Sequence, residues 1–298
     1  MDTLRTTIEL ALRGDTPLLG GFGLEFAAIS PPIWHETLLL EGTGDAKLTT
    51  LRSAADLGGE PVGEFRARLS EGDISRLLQR LARTDFEALG QGRAGLHDMQ
   101  LSLSMVLGGS EHRWHLGGSQ PQTRAAAQEL LAELGRIKEL VRQHPVATLD
   151  AQLQLGPVGR GDAAVNASVA LRNAGTEGLW LPAPSSLAYD DEDAPYEGLL
   201  LRYGRQMPVR PNESPLPITY LTAPIDTRGM RDGRDGAPLR WLAAGGSDTV
   251  AGTALCTTGP GIYRFHVLYS TYAQPGSVAG RRRFRGCAIS PDVVVEIP

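Results

Sequence analysis

Residues 262–270, IYRFHVLYS, and residues 292–297, DVVVEI, decide how the second half of this chain is read. Both runs are rich in β-branched and aromatic side chains, which fit a pleated, half-buried surface. The stretch between them, 271–291, is polar and rich in glycine and arginine. Two strands joined by a long exposed loop therefore close the chain, and the second half is organised around them. Upstream, from residue 146 on, no helical period recurs. Short apolar runs alternate with turn signals at 147–155, 163–172, 178–181, 198–203, 217–221 and 248–256. In one of them Val165, Ala167, Val169 and Leu171 alternate with small or polar neighbours, and Arg172-Asn173-Ala174-Gly175 then turns the chain. Roughly eight short strands over about 150 residues predict an all-β sandwich for residues 146–298. The stretches 190–193 and 226–238 read as long polar loops.

The first half, residues 1–145, has a different rhythm. Ile8, Leu10 and Leu12 alternate, which suggests a strand, and Gly20, Gly21, Gly23 and Pro31-Pro32 interrupt the chain beyond it. Residues 34–41 (WHETLLLE) and 47–52 make a hairpin around Gly42-Thr43-Gly44-Asp45. At 64–69, Phe65, Ala67 and Leu69 face one way and Glu64, Arg66 and Arg68 the other. Ser70 and Asp73 form a capping box, and Ile74, Leu77, Leu78 and Leu81 lay one apolar stripe along the helix it opens. Residues 100–107 alternate with Leu101, Leu103, Met105 and Leu107 inward, and 111–116 pairs back with Trp114 and Leu116 inward. A second capping box, Ser119 with Gln122, opens a long helix carrying Ala127, Leu130, Leu134, Ile137 and Val141, which Pro145 stops. The order predicts an α+β domain: an antiparallel sheet with two helices on one face.

Composition bounds the function. The chain has 298 residues, which suggests two domains of about 150 residues each. With 41% hydrophobic and 21% charged residues it is a globular sequence. A formal net charge of −5 argues against a dedicated nucleic-acid binder. No apolar run reaches the length of a membrane span, and residues 1–19 lack the basic and apolar regions of a signal peptide. The expectation is a cytoplasmic protein with no membrane contact. Cys256 and Cys287 are the two cysteines, too few for a disulfide scaffold or a multi-cysteine zinc site; two partly buried thiols are expected, with a bridge as the alternative.

The second half resembles the immunoglobulin-like sandwiches of many bacterial proteins. The residues that carry this are VNASVALRNAGTEGLWL (165–181), GIYRFHVLYS (261–270) and SPDVVVEI (290–297). The bacterial intracellular proteinase inhibitors are one group with this strand pattern. The first half, with a helix, then Asp85-Phe86, then an alternating strand, resembles the small metalloprotease inhibitors of the emfourin type. Both resemblances imply inhibition of a protease, although the sandwich itself hosts many roles.

No catalytic constellation is visible. His112 and His115 are close in sequence, but on a strand their parities put them on opposite faces. His97 lies on a polar turn, and His266 reads as a core or interface histidine. No G-x-S-x-G elbow or phosphate loop occurs, and the glycines 90, 92 and 95 come after a helix and before a strand, the reverse of a dinucleotide site. The acidic run 190–193 and the set Asp226, Asp232 and Asp235 lack the spacing of a calcium loop. No metal or cofactor is expected. The most pointed feature is Arg281, Arg282, Arg283 and Arg285 around Phe284, in a terminal stretch (262–298) with five arginines against two carboxylates. Such a charge asymmetry steers an acidic partner, or serves acidic loops of the same chain. The reading is a non-catalytic binding protein that engages a protein partner through sandwich loops, as a protease inhibitor or toxin-neutralising protein. Its contacts would be Tyr272, Arg281, Arg282, Arg283, Phe284 and Arg285, with Arg228, Arg231 and Arg234 on a second loop. Two other classes stay open: an assembly component of a larger particle, and an enzyme that joins Cys256 or Cys287 to His266 in space.

Overall fold

The computed structural model describes residues 6, 8–10, 12–13, 22–30, 34–52, 59–89, 100–107, 110–116, 121–183, 198–207, 218–227, 239–271, 277–278 and 281–298. Strand is the dominant element. The chain divides into two compact units, one of Met1–Thr50 and Glu64–Val146, the other of Leu51–Gly63 and Ala147–Pro298.

In the first unit the strands are β1 (Phe22–Ser30), β2 (Trp34–Glu41), β3 (Asp45–Arg52), β4 (Val62–Arg68), β5 (Gln100–Leu107) and β6 (Ser110–His115). The ends of β3 and β4 run into the segment counted with the second unit. Five of these strands lie in the order β3-β2-β1-β5-β6, and β1 pairs antiparallel with both β2 and β5. Helices span Glu71–Arg83, Phe86–Leu89 and Pro121–Arg142. Leu77, Leu78 and Leu81 from the first, and Ala127, Leu130, Leu134, Ile137 and Val141 from the last, share one core with Leu24, Phe26, Leu38, Leu103 and Met105 of the strands. The spacing of three and four and the spacing of two thus meet as the sequence predicts. The capping box at Ser70 is formed: its hydroxyl accepts from the Asp73 amide, and the Asp73 carboxylate accepts from the Ser70 amide at 3.2 Å.

Two readings of this half need correction. Residues 8–10 and 12 are helical, not a strand. Ile8 is fully buried while Leu10 is exposed, so the face that matters is i, i+4. The glycines near 20 do not prevent structure either: FGLEFAAIS forms β1, the central strand of the unit's sheet, with Phe22, Leu24, Phe26 and Ala28 buried. The proposed capping residue Ser119 lies outside the described residues, as do Gly108 and Gly109.

Among its described residues the second unit holds strands and no helix. They are β7 (Pro145–Leu155), β8 (Gly161–Asn173), β9 (Leu179–Pro182), β10 (Gly198–Arg205), β11 (Leu221–Pro224), β12 (Leu239–Leu242), β13 (Ser247–Thr258), β14 (Gly261–Ser270), β15 (Ser277–Val278), β16 (Arg281–Arg282), β17 (Cys287–Ile289) and β18 (Val293–Ile297). One antiparallel set is β7-β8-β13. The other is β11-β10-β14, with β14 also paired to β17 and β18. Val165, Val169 and Leu171 of the first set share one core with Leu199, Leu201, Phe265, Val267 and Tyr269 of the second. A short parallel bridge joins Cys287 to Arg52, so the sheet arrangement is mixed. The two terminal runs do pair: Gly261 lies opposite Ile297 and Phe265 opposite Val293. The far half of β14 pairs instead with β17, a stretch whose polar surroundings predict a loop. Between them Pro291 has no amide to offer, and the ladder is bridged by Ser290, whose hydroxyl accepts from the Val267 amide at 3.0 Å. The strand expected at 217–221 is displaced, the ladder running Leu221–Pro224, and Leu239–Leu242 is a strand that the polar sequence before it concealed.

Candidate functional site

The arginine-rich stretch is tied down more firmly than an open loop would be. Arg281 and Arg282 form β16, antiparallel to β15, and Arg283 makes a parallel bridge to Trp180 of β9. The next residue, Phe284, donates its amide to the Trp180 carbonyl at 2.8 Å. The Phe284 ring is buried and stacks on Tyr269 with centroids 5.8 Å apart. It is a core residue here rather than a side chain offered to a partner. Arg282 meets Glu177 at 2.6 Å, Arg283 is half-buried, and Arg285 is exposed. The backbone of Arg281 is placed within β16; Tyr272, Arg228, Arg231 and Arg234 lie outside the described residues. So do residues 190–193, Asp232 and Asp235.

Beside the arginines stands an aromatic pair that the sequence reading did not single out. β9 and β12 form a two-stranded ribbon in which Trp180 lies directly opposite Trp241. Their rings are 5.3 Å apart and tilted by 55°. Leu179, Leu181 and Leu242 point into the core, so the alternation turns both indoles away from it. Trp241 keeps 51% of its surface exposed, an unusual cost for the largest apolar side chain. Gly178 makes the placement possible, because a Cβ there would fall 2.1 Å from the Trp241 ring. The ribbon is rigidly held. Asn173, fully buried, donates its side-chain amide to the carbonyls of Glu177 and Ala243 at 2.8 and 3.0 Å and accepts from the Gly175 amide at 2.9 Å. Tyr269 donates its hydroxyl to the Pro182 carbonyl at the end of β9. Arg240 meets Asp248 at 3.0 Å on the same ribbon. The signal for this site was present in GLWL and LRWL: inward leucines at alternate positions leave the tryptophans outward.

A second cluster sits at the break between β17 and β18. The Asp292 carboxylate accepts from Arg264 at 3.2 Å and lies 3.0 Å from His266 Nδ1. The Tyr220 hydroxyl lies 3.5 Å from it, and the Tyr220 ring covers the imidazole at 4.7 Å between centroids. Arg202, directly across the ladder from His266, holds its guanidinium 5.2 Å from the Tyr220 ring. A carboxylate only accepts, so Nδ1 carries the proton of the neutral ring. Nε2 is then a lone pair, buried and without a hydrogen-bond partner. Burial, the main cause, pushes the His266 imidazole below its ordinary range; Arg202 and Arg52 act the same way and Asp292 opposes them. Burial likewise pushes the Tyr220 phenol up.

The cysteines are both free and buried. Cys287 pairs with Ser270, four residues along β14 from His266, which is about 13 Å at strand rise. Cys256 lies opposite Ala163 in the core, and burial raises its thiol to about 11. Neither thiol is activated. Among the described residues no helix is long and apolar enough to cross a membrane, and no group of three or more His, Cys, Asp or Glu side chains is placed to hold a metal ion. A scan against protein-family models finds no match for this chain, and a search of curated proteins finds none.

Proposed function

We propose that this is a non-catalytic binding protein whose second unit, an immunoglobulin-like sandwich, engages a protein partner with an acidic surface. The observation that carries the reading is the half-exposed Trp241 packed against Trp180 in a tilted pair, with the arginine stretch 281–285 bridged to the strand of Trp180. Tryptophan and arginine are the residues that dominate binding energy at protein interfaces, and a pre-organised surface loses little conformational freedom when it binds. The contact surface differs from the one expected from sequence: the aromatic anchors are Trp180 and Trp241, and Arg282 and Arg283 are the cations beside them. Glu177 holds Arg282 meanwhile, as a surface pair that contributes little and exchanges readily for a partner's carboxylate. The resemblance to proteinase inhibitors makes a protease the first partner class to test. Inhibition would be steric, the rigid ribbon occupying a cleft without being cleaved.

The test is affinity capture from the cells of origin, with wild type, Trp241→Ala and the joint change of Arg282 and Arg283 to serine as bait. Proteins held by wild type should be lost with Trp241→Ala. With the serine variant their retention should weaken and lose its salt dependence. Equal retention by all three baits would refute the proposed surface. A wild-type protein that elutes as a large self-assembled particle would favour the assembly reading over it.

A further inference from the structure

The cluster around His266 has no part in the surface proposed above, and its construction is specific. The segment 218–220 leaves the strand ladder and crosses over β10 at Gly204, where a Cβ would fall 2.5 Å from the Ile218 side chain and 2.6 Å from the Thr219 carbonyl oxygen. Glycine at 204 is what lets this strap lie against the sheet. Its last residue, Tyr220, caps the cluster: ring on His266, hydroxyl toward Asp292, Arg202 over the ring. Directly after it comes β11, four residues long and at the end of the strand order, joined to β10 from Leu221–Tyr203 to Pro224–Leu200. A short edge ladder next to a polar cluster is where a sheet opens at least cost.

We propose that this cluster is an acid-sensitive clasp, in which protonation of His266 releases the strap 218–220 and the adjoining start of β11 from the sheet. The geometry supplies the reason. His266 is 4% exposed, and its Nε2 meets no acceptor in the closed arrangement. A proton there creates a donor that must reach water, and Tyr220 lies over the ring. The groups that face His266 are Arg264 on its own strand, Arg202 on β10, Tyr220 on the strap, Asp292 between β17 and β18, and Arg52 at the end of β3. Burial and the guanidinium groups of Arg202 and Arg52 oppose a positive charge on the ring; the Asp292 carboxylate favours it. The folded imidazole therefore titrates below its ordinary value of 6.5, and the released form takes up the proton first. Closure is accordingly complete above pH 6.5 and is lost as pH falls below that value, the opening constant rising by up to tenfold per pH unit until the folded ring itself titrates.

Amide hydrogen exchange on the full chain tests this. After correction for intrinsic exchange, amides of residues 221–223 should exchange faster at pH 5.5 than at pH 7.5, by up to about tenfold. Amides of residues 130–137 in the first unit should not change. His266→Gln should abolish the difference, and an unchanged pH response in a folded His266→Gln protein would overturn the proposal, as would a flat wild-type profile. Asp292→Asn keeps the imidazole and provides the second check if the glutamine variant fails to fold. Without the carboxylate the folded His266 titration, tracked by NMR, should move to lower pH, and the rise in opening, still beginning near pH 6.5, should continue to correspondingly lower pH; an opening profile that levels off at the same pH in both proteins would also overturn the proposal.

Discussion

Glu36 is a carboxylate on the core face of β2, 1% exposed, in line with Leu38 and Leu40. It survives there because two cations one helical turn apart on the Pro121–Arg142 helix reach it: Lys138 at 2.8 Å, and Arg142. Removing one partner of a buried pair leaves the others uncompensated, so Glu36→Ala should lower stability by about 3–5 kcal/mol in urea unfolding. Asp73 works at the surface. The Ser70 hydroxyl, with Arg76 and Arg136, holds its carboxyl at about 2 against an ordinary 3.8. A depressed folded value means stability that is present above 3.8 and is lost as pH falls toward 2. Ser70→Ala should therefore lose about 1 kcal/mol of helix capping near neutral pH and show a shallower acid limb in thermal melts between pH 4 and pH 2. These two residues differ in how far sequence reveals them. The capping box spans one turn and is readable as a pattern. The parity of Glu36 shows that it points inward, but its partners lie about a hundred residues on, where only the fold brings them back.

At the level of elements, the strands that were readable are those whose burial alternates without interruption, such as β8 and β13. The failures have physical causes. β1 is hard to read because its flanking glycines and prolines carry strong turn signals beside its own alternation. The sequence pattern predicts the terminal pairing as a single hairpin, whereas Ser290 and Pro291 divide it into two ladders against one strand. The ribbon of β9 and β12 escaped because each strand is short and its partner distant. Its geometry is nonetheless testable without a partner. Gly178→Ala places a methyl where the Trp241 ring now lies, so the indole must swing away. Tryptophan emission should shift, partner capture should fall, and stability should change by less than about 1 kcal/mol. An unchanged emission spectrum would mean that the ring does not rest there.

At the scale of the molecule, the change of rhythm near residue 145 was legible from sequence, and the return of Leu51–Gly63 to the second unit was not. Local patterning describes what a segment is, not which distant strand it joins. Val62 is fully buried in the second core, and the Gly59 amide donates to the Ile289 carbonyl at 3.0 Å. A fragment of residues 147–298 lacks both. Burial of one valine contributes about 1.5–3 kcal/mol, so this fragment should unfold at lower urea than the same fragment supplied with a peptide of residues 51–63. An identical midpoint with and without the peptide would show that the segment is dispensable. The interleaving has a further consequence for biosynthesis. Chains emerge from the ribosome N-terminus first, at about 5–20 residues per second. The segment 51–63 is therefore made well before most of its own unit and must stay available until β14 and the strands after it have been translated. A unit that includes a segment from inside the first half of the sequence cannot be excised as one contiguous piece of the chain.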